Sequence, residues 1–258
     1  MGQVSYDFSG QTVLVTGASR GIGYGVAKAF AKAGAKVVIL SSGPGILDAV
    51  ETLSVHGDVT GVQADITDRD QIIAALSGID KIDVLINNAG LERITPIDDP
   101  DNAVEATFAR IIDINVNGTF LMTRHALPKM GKGGRIILTA SIWSRTAVPE
   151  FSAYVCSKHA NLGFTRSMAH ELGPRGITVN AVCPGWVKTE AAMLSLSKMS
   201  QTTGRSEDDL LTEITGAQVL GGLLEPDDMA ALYLFLASDA ARDITGQAYM
   251  LDRGEVMA

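Results

Sequence analysis

The sequence predicts an α/β fold, a doubly wound parallel sheet of about seven strands in one domain over residues 1–258. Short, nearly continuous apolar runs recur along the chain, as expected for strands covered on both faces and therefore parallel. Helical patterns lie between those runs, and the alternation continues to the end without a linker, repeat or low-complexity stretch. A hydrophobic fraction of 46% against 19% charged residues fits a folded chain and argues against disorder.

Gln11 to Thr16 (Gln-Thr-Val-Leu-Val-Thr) is a β-branched run ending in glycine and reads as the first strand. Ile22, Val26, Ala29, Phe30 and Ala33 follow at helical spacing, and Gly34 stops that helix. Val37 to Leu40 is the second strand and Val59 to Ala64 a weaker third. Ile82 to Ile86, Arg135 to Thr139, Ile177 to Ala181 and Ala248 to Leu251 complete the set. Helical patterns occupy 68–77, 102–130, 151–173 and 226–238. The least regular segment, 186–222, is rich in Met, Leu, Ser and Thr and follows a strand end, where ligands bind in such sheets. It reads either as a substrate lid or as a surface pair of helices.

Composition excludes several functions. The net charge of −8 argues against a phosphate-backbone binder, and 5% aromatics argue against base stacking, so no nucleic-acid partner is expected. No apolar run approaches the roughly 18 residues of a membrane helix, and Met1 to Gly10 lacks the basic-then-apolar pattern of a secretory signal. Cys156 and Cys183 make neither a disulfide framework nor a zinc site, and both read as packing residues. The four histidines form no metal-spaced pair, so no metal is expected. The expected setting is cytoplasmic, with reduced thiols.

Chemistry begins at Thr16-Gly17-Ala18-Ser19-Arg20-Gly21-Ile22-Gly23, between the first strand and the first helix. Glycines there permit a tight turn and close approach of a pyrophosphate, and the helix start offers free N–H groups to that anion. A second pattern is Tyr154 and Lys158, four apart on one helix face. A phenol with a pKa near ~10 is a poor acid–base group at neutral pH, and a nearby ammonium lowers that value. Ser141 follows the fifth strand, beside the expected cleft, where its hydroxyl can bind a reacting oxygen. No Gly-x-Ser-x-Gly elbow surrounds it, so it does not read as a nucleophile.

The spacing Thr-Gly-x-x-x-Gly-x-Gly, with Asn87-Asn88-Ala89-Gly90 after the fourth strand and Tyr-x-x-x-Lys after Ser141, resembles the short-chain dehydrogenases/reductases over nearly the whole chain. That resemblance implies a Rossmann-type sheet and an NAD(P)-dependent interconversion of an alcohol and a ketone. It implies Asn115, Ser141, Tyr154 and Lys158 as the catalytic set, with Asn115 holding a water in a proton relay to Lys158. From the residues alone, Asn115 could equally satisfy buried backbone groups. Around the cofactor the resemblance implies Gly17, Ser19, Arg20, Gly21, Ile22 and Gly23 in the glycine loop, and Ser41 after the second strand. Asp65 and Ile66 would lie by the adenine, and Asn88, Ala89 and Gly90 along the cleft. Tyr154 and Lys158 would meet the ribose, and Pro184, Gly185, Val187 and Thr189 the nicotinamide end. Family members are commonly tetramers built through the helices at 102–130 and 151–173, so a homotetramer is expected.

NADP or NAD could serve. Ser41-Ser42-Gly43-Pro44-Gly45 carries neither the acid that suits NAD nor the arginine that suits the NADP phosphate, and Arg20 is the nearby cation, which favours NADPH. Asn-Asn-Ala-Gly-Leu-Glu at 87–92 and Cys-Pro-Gly-Trp-Val at 183–187 resemble 3-hydroxybutyrate dehydrogenases most. In those enzymes a Gln, a His and a Lys bind the substrate carboxylate, whereas Glu92, Trp143 and Phe151 stand at those positions here. A 3-hydroxybutyrate preference is therefore not expected. Trp143, Phe151, Trp186, Met193 and Leu194 suggest an apolar or aromatic small-molecule alcohol or ketone. Glu92 adds the narrower expectation of an amino alcohol or amino ketone, set against a plain solvated carboxylate. Competing readings are a 3-oxoacyl-carrier-protein reductase, which would need a basic docking surface, and a cofactor-binding regulator without turnover.

Overall fold

The computed structural model describes residue 2 and residues 4–257. Seven strands form one parallel sheet: β1 (Thr12–Thr16), β2 (Lys36–Ser41), β3 (Val59–Gln63), β4 (Val84–Asn87), β5 (Arg135–Thr139), β6 (Thr178–Pro184) and β7 (Ala248–Leu251). Their order is β3-β2-β1-β4-β5-β6-β7, and each neighbouring pair runs parallel. The chain winds outward from β1 to β3, then returns to the other side of β1 at β4. That reversal opens a crevice at the C-terminal ends of β1 and β4.

Strand period two divides the core. Val13, Val15, Val37 and Ile39 pack with Val26 and Phe30 of α1 (Gly21–Lys32) and with Tyr233 of α9 (Ala230–Ala237) on one face. Leu14, Val38, Leu40 and Leu85 face the opposite layer, where Ile72 of α3 (Arg69–Ser77), Met122 of α5 (Thr119–Ala126) and Leu162 of α6 (Ser152–Leu172) cover them.

Two elements depart from the sequence reading. A helix not expected there, α2 (Ile46–Ser54), follows β2 and buries Ile46, Ala49 and Leu53. The pattern at 102–130 is α4 (Ala103–Ile112), a π-helical turn (Asp113–Gly118), α5 and a short 3₁₀ turn. The segment 186–222 contains two helices, α7 (Glu190–Thr203) and α8 (Glu207–Gly216). Thr189 and Ser206 cap them by accepting from Ala192 N and Asp209 N. Among the described residues, no helix is long and apolar enough to cross a membrane.

Candidate active site

Two adjoining cavities occupy the crevice. The larger, about 380 Å³, runs from the glycine loop past Asp65, Ile66 and Gly90 to Tyr154 and Lys158. The smaller, about 120 Å³, is lined by Ser141, Trp143, Pro184, Trp186 and Ala192. Ile22, Glu92, Thr139, Tyr154 and Thr189 line both.

The glycine loop is built for close backbone approach. Gly17 has φ +66°, and a Cβ on it would lie 2.6 Å from Ala89 Cα. Asn88 braces the loop by donating from Nδ2 to the carbonyls of Thr16 and Gly17, both at 3.1 Å. Arg20 stands extended before α1, whose first-turn N–H groups have no intrahelical partner; Gly21 and Ile22 line the cleft, whereas Gly23 packs beneath the loop, where a Cβ would lie 2.5 Å from Gly17 O. Ser19 and Ser41 meet at 3.2 Å between their hydroxyls. Asp65 accepts from Thr67 N and Oγ1 and from Arg110 Nη2, each at 2.8 Å. Its partial burial would raise its pKa, but these bonds outweigh that and hold the carboxyl below its usual range. This arrangement fits a dinucleotide: a helix N-terminus for the pyrophosphate, and a bare backbone at Gly90, where a Cβ would crowd the cleft wall at 3.3 Å from Asn115 Oδ1 and 3.7 Å from Lys158 Nζ.

Arg20 Nη1 is 2.9 Å from Glu190 Oε2, both side chains well exposed. Such a pair is worth about 0–1 kcal/mol and exchanges readily for another anion. Arg93, in the loop after β4, and Arg110, on α4, also line the cleft, two cations the sequence reading missed.

The catalytic candidates converge where the cavities meet. Ser141 caps the turn after β5, its Oγ accepting from Trp143 N at 3.2 Å while its own N–H donates to Ser144 Oγ. Tyr154, in the first turn of α6, packs edge-on against Trp143 at 5.9 Å between ring centres. Lys158 is buried, sits 5.3 Å from the Tyr154 ring centre and donates from Nζ to Thr139 O at 2.7 Å. Burial lowers the Lys158 pKa to about 8, so the ammonium persists at neutral pH. Burial raises the Tyr154 pKa, the neighbouring Glu92 carboxylate adds to the rise, and a Ser141 hydrogen bond opposes it. The protein groups alone therefore do not produce the lowered phenol pKa expected from sequence.

Asn115 lies in the π-helical turn, a feature often found at functional positions. Its Nδ2 donates to Leu91 O and Ser157 Oγ at 2.9 Å, and its Oδ1 accepts from Leu91 N at 2.7 Å. The side chain thus clamps the loop after β4 onto α6. These bonds satisfy the Leu91 backbone N–H and carbonyl.

Glu92 is not a solvated loop carboxylate. It is half-buried, and its Oε1 accepts from Ser195 Oγ of α7 at 2.6 Å. Burial raises its pKa, with the Ser195 bond and Arg93 pulling the other way. Trp143 and Trp186 line the small cavity as expected. Phe151 and Met193 do not. Phe151 is buried behind Trp143, 5.1 Å between rings, and Met193 lies on α7 outside the lining. Leu194 is 52% exposed, because one residue along a helix turns the side chain about 100° away. Pro184, Gly185 and Val187 line the far wall, with Thr189 at the α7 cap.

Cys156 corrects another expectation: it is exposed, since α6 buries only the face carrying Ala153, Ser157 and Lys158. Cys183 is buried, with burial raising its thiol pKa to about 11, and is inert packing as expected. Sequence reasoning also missed a buried hydrogen-bond chain beneath the site. Tyr233 Oη lies 2.8 Å from Thr139 Oγ1, which donates to Asn88 Oδ1 at 3.1 Å. A tyrosine inside Ala-Leu-Tyr-Leu-Phe-Leu and a threonine closing an apolar strand were the available signals. Among the described residues no three His, Cys, Asp or Glu side chains form a metal cluster.

A family model described as enoyl-(acyl carrier protein) reductase matches residues 17–255. D-beta-hydroxybutyrate dehydrogenase of Cupriavidus necator is 36% identical over 262 residues, covering 96% of this chain and 98% of the relative. Oxidoreductase UcpA of Escherichia coli K12 is 35% identical over 260 residues, covering 96% and 95%. Among solved structures, a putative NAD(P) dependent gluconate 5-dehydrogenase from Beutenbergia cavernae, with bound NADP at low occupancy, superposes at TM-score 0.88 with 30% identity, covering 98% of this chain and 99% of the other. An actinorhodin polyketide ketoreductase variant with NADPH gives 0.88 at 28% identity and the same coverage. With the glycine loop, the Tyr154–Lys158 pair and the sheet order already in hand, these matches make the chain an oxidoreductase of the short-chain dehydrogenase/reductase family.

Proposed function

We propose that this oxidoreductase interconverts a secondary alcohol and a ketone with a mainly apolar or aromatic body, using Tyr154 as the proton-transfer group. The supporting observation is that Tyr154 borders both the long cleft and the small aromatic cavity. A nicotinamide cofactor in the cleft supplies hydride acceptance or donation at its C4. In reduction the Tyr154 phenol gives its proton to the carbonyl oxygen as hydride reaches the carbonyl carbon, leaving phenolate; in oxidation that phenolate takes the hydroxyl proton as the carbinol hydrogen leaves as hydride. Ser141 Oγ orients the substrate oxygen and stabilises charge developing on it. Lys158 anchors the ribose and contributes positive potential beside the phenol. Asn115, through Leu91 and Ser157, holds these elements in register.

NADPH is the favoured cofactor, because Arg20 can exchange Glu190 for a 2′-phosphate and no acid follows β2. The same reading takes α7 and α8 as a lid, and the enzyme as a cytoplasmic homotetramer assembled along α4–α6, where Phe108 and Phe120 are partly exposed. A panel of ketones and alcohols, followed at the nicotinamide absorbance with both cofactors, tests the reaction; no absorbance change with any pair would sink it. Arg20→Ala is expected to weaken NADPH binding about tenfold or more, the loss of one charge-assisted contact, and to leave NADH binding unchanged. Equal weakening of both, by fluorescence titration, would remove the NADPH preference.

A further inference from the structure

We infer that Glu92 and the aromatic faces of the small cavity form a subsite for a substrate ammonium group, so that the alcohol or ketone turned over is an amino alcohol or amino ketone. The inference rests on the reaction proposed above and narrows its substrate class.

Glu92 belongs to no ion pair among the described residues. Arg93, its chain neighbour, donates instead to the Glu92 backbone carbonyl at 2.7 Å. Its one side-chain hydrogen bond comes from the neutral Ser195. A desolvated carboxylate without a cation is costly, and such groups normally acquire a partner. This one borders the cavity lined by Trp143 and Trp186. A carboxylate bordering a cavity lined by two indoles is the chemistry that recognises an organic ammonium, through one charge-assisted hydrogen bond and cation–π attraction.

Tyr154 supplies a second argument. The Glu92 charge opposes ionisation of that phenol, against what proton abstraction from an alcohol requires. An ammonium on Glu92 cancels that opposition, whereas a neutral substrate leaves it in place. Lys158 and Tyr233, the other titratable groups around Tyr154, are common to both cases. The subsite would therefore aid catalysis as well as binding, and only for cationic substrates.

The test compares phenylethanolamine with 1-phenylpropan-1-ol, which carries a methyl in place of the ammonium. Wild type is expected to favour the amine by about tenfold or more in kcat/KM. Glu92→Gln should lose that factor on the amine and gain about twofold or more on the neutral alcohol, through relief of Tyr154. Opposite signs distinguish a charge role from a structural one. Equal losses on both substrates, or no amine preference in wild type, would overturn the inference.

A second measurement does not need turnover. Both tryptophans of the chain line this cavity, so intrinsic fluorescence of the cofactor-loaded enzyme reports its occupancy. Phenethylamine should quench it at lower concentration than 2-phenylethanol, and Glu92→Gln should abolish the difference. If the ketone and alcohol panel fails while this selectivity appears, the reaction reading falls and the ammonium site stands; no selectivity in wild type overturns the site.

Discussion

Replacing Tyr154 by Phe is expected to lower kcat by between about a hundredfold and ten-thousandfold, the usual contribution of a positioned acid–base group. The ring survives in Phe, so the edge-on contact with Trp143 and the packing of the first turn of α6 are kept. Only the hydroxyl beside Ser141 is lost. Cofactor affinity, measured by fluorescence titration, should stay within about twofold, because the glycine loop and Lys158 are untouched. Turnover within tenfold of wild type would remove Tyr154 from the chemistry and revive a binding role for the chain.

The second large effect is expected at Gly17. Ala at this position meets two penalties: a left-handed backbone at φ +66°, and a Cβ 2.6 Å from Ala89 Cα, where the obstacle is backbone and cannot rotate aside. Strain of about 1–3 kcal/mol and overpacking of about 1–3 kcal/mol together predict a loss of about 2–6 kcal/mol. For a chain of this size that corresponds to a fall in Tm of roughly 5–20 °C, read by circular dichroism. Gly43→Ala is the matched control, since nothing lies within 4 Å of a Cβ there. Equal Tm values for the two variants would show that the loop yields and that the close approach to Ala89 is not obligatory.

The residues of the site were legible in the chain wherever chemistry depends on local spacing. The glycine loop must follow a strand and open a helix, and Tyr154 and Lys158 must share one helical face, so their positions are written in short stretches. Strand assignments held for the related reason that residues covered on both sides must be apolar. What depended on distant encounters was not legible. Arg110 reaches the cleft from α4, beside Asp65 of another segment, and Ser195 meets Glu92 across 103 residues. Phe151 and Met193 looked like cavity residues because they are apolar and near the right motifs, but Phe151 bridges to Thr95 and packs behind Trp143, and Met193 lies on α7 off the lining. The helix at 46–54 was a different kind of miss. Its Ile46, Ala49 and Leu53 have helical spacing, overshadowed by the Ser-Ser-Gly-Pro-Gly stretch before it.

The Tyr233–Thr139–Asn88 chain has a consequence for where protons can travel. Asn88 commits both functions of its amide: Nδ2 gives to the glycine loop, and Oδ1 can only receive. The single proton of Thr139 therefore points at Asn88, and Tyr233 must direct its own at Thr139. Burial raises the Tyr233 pKa, with the Thr139 bond opposing, so the phenol keeps that proton at neutral pH. The row ends at the Asn88 amide oxygen, which carries no proton to hand on, so no proton crosses it. The sheet side of the pocket is thus an insulating floor.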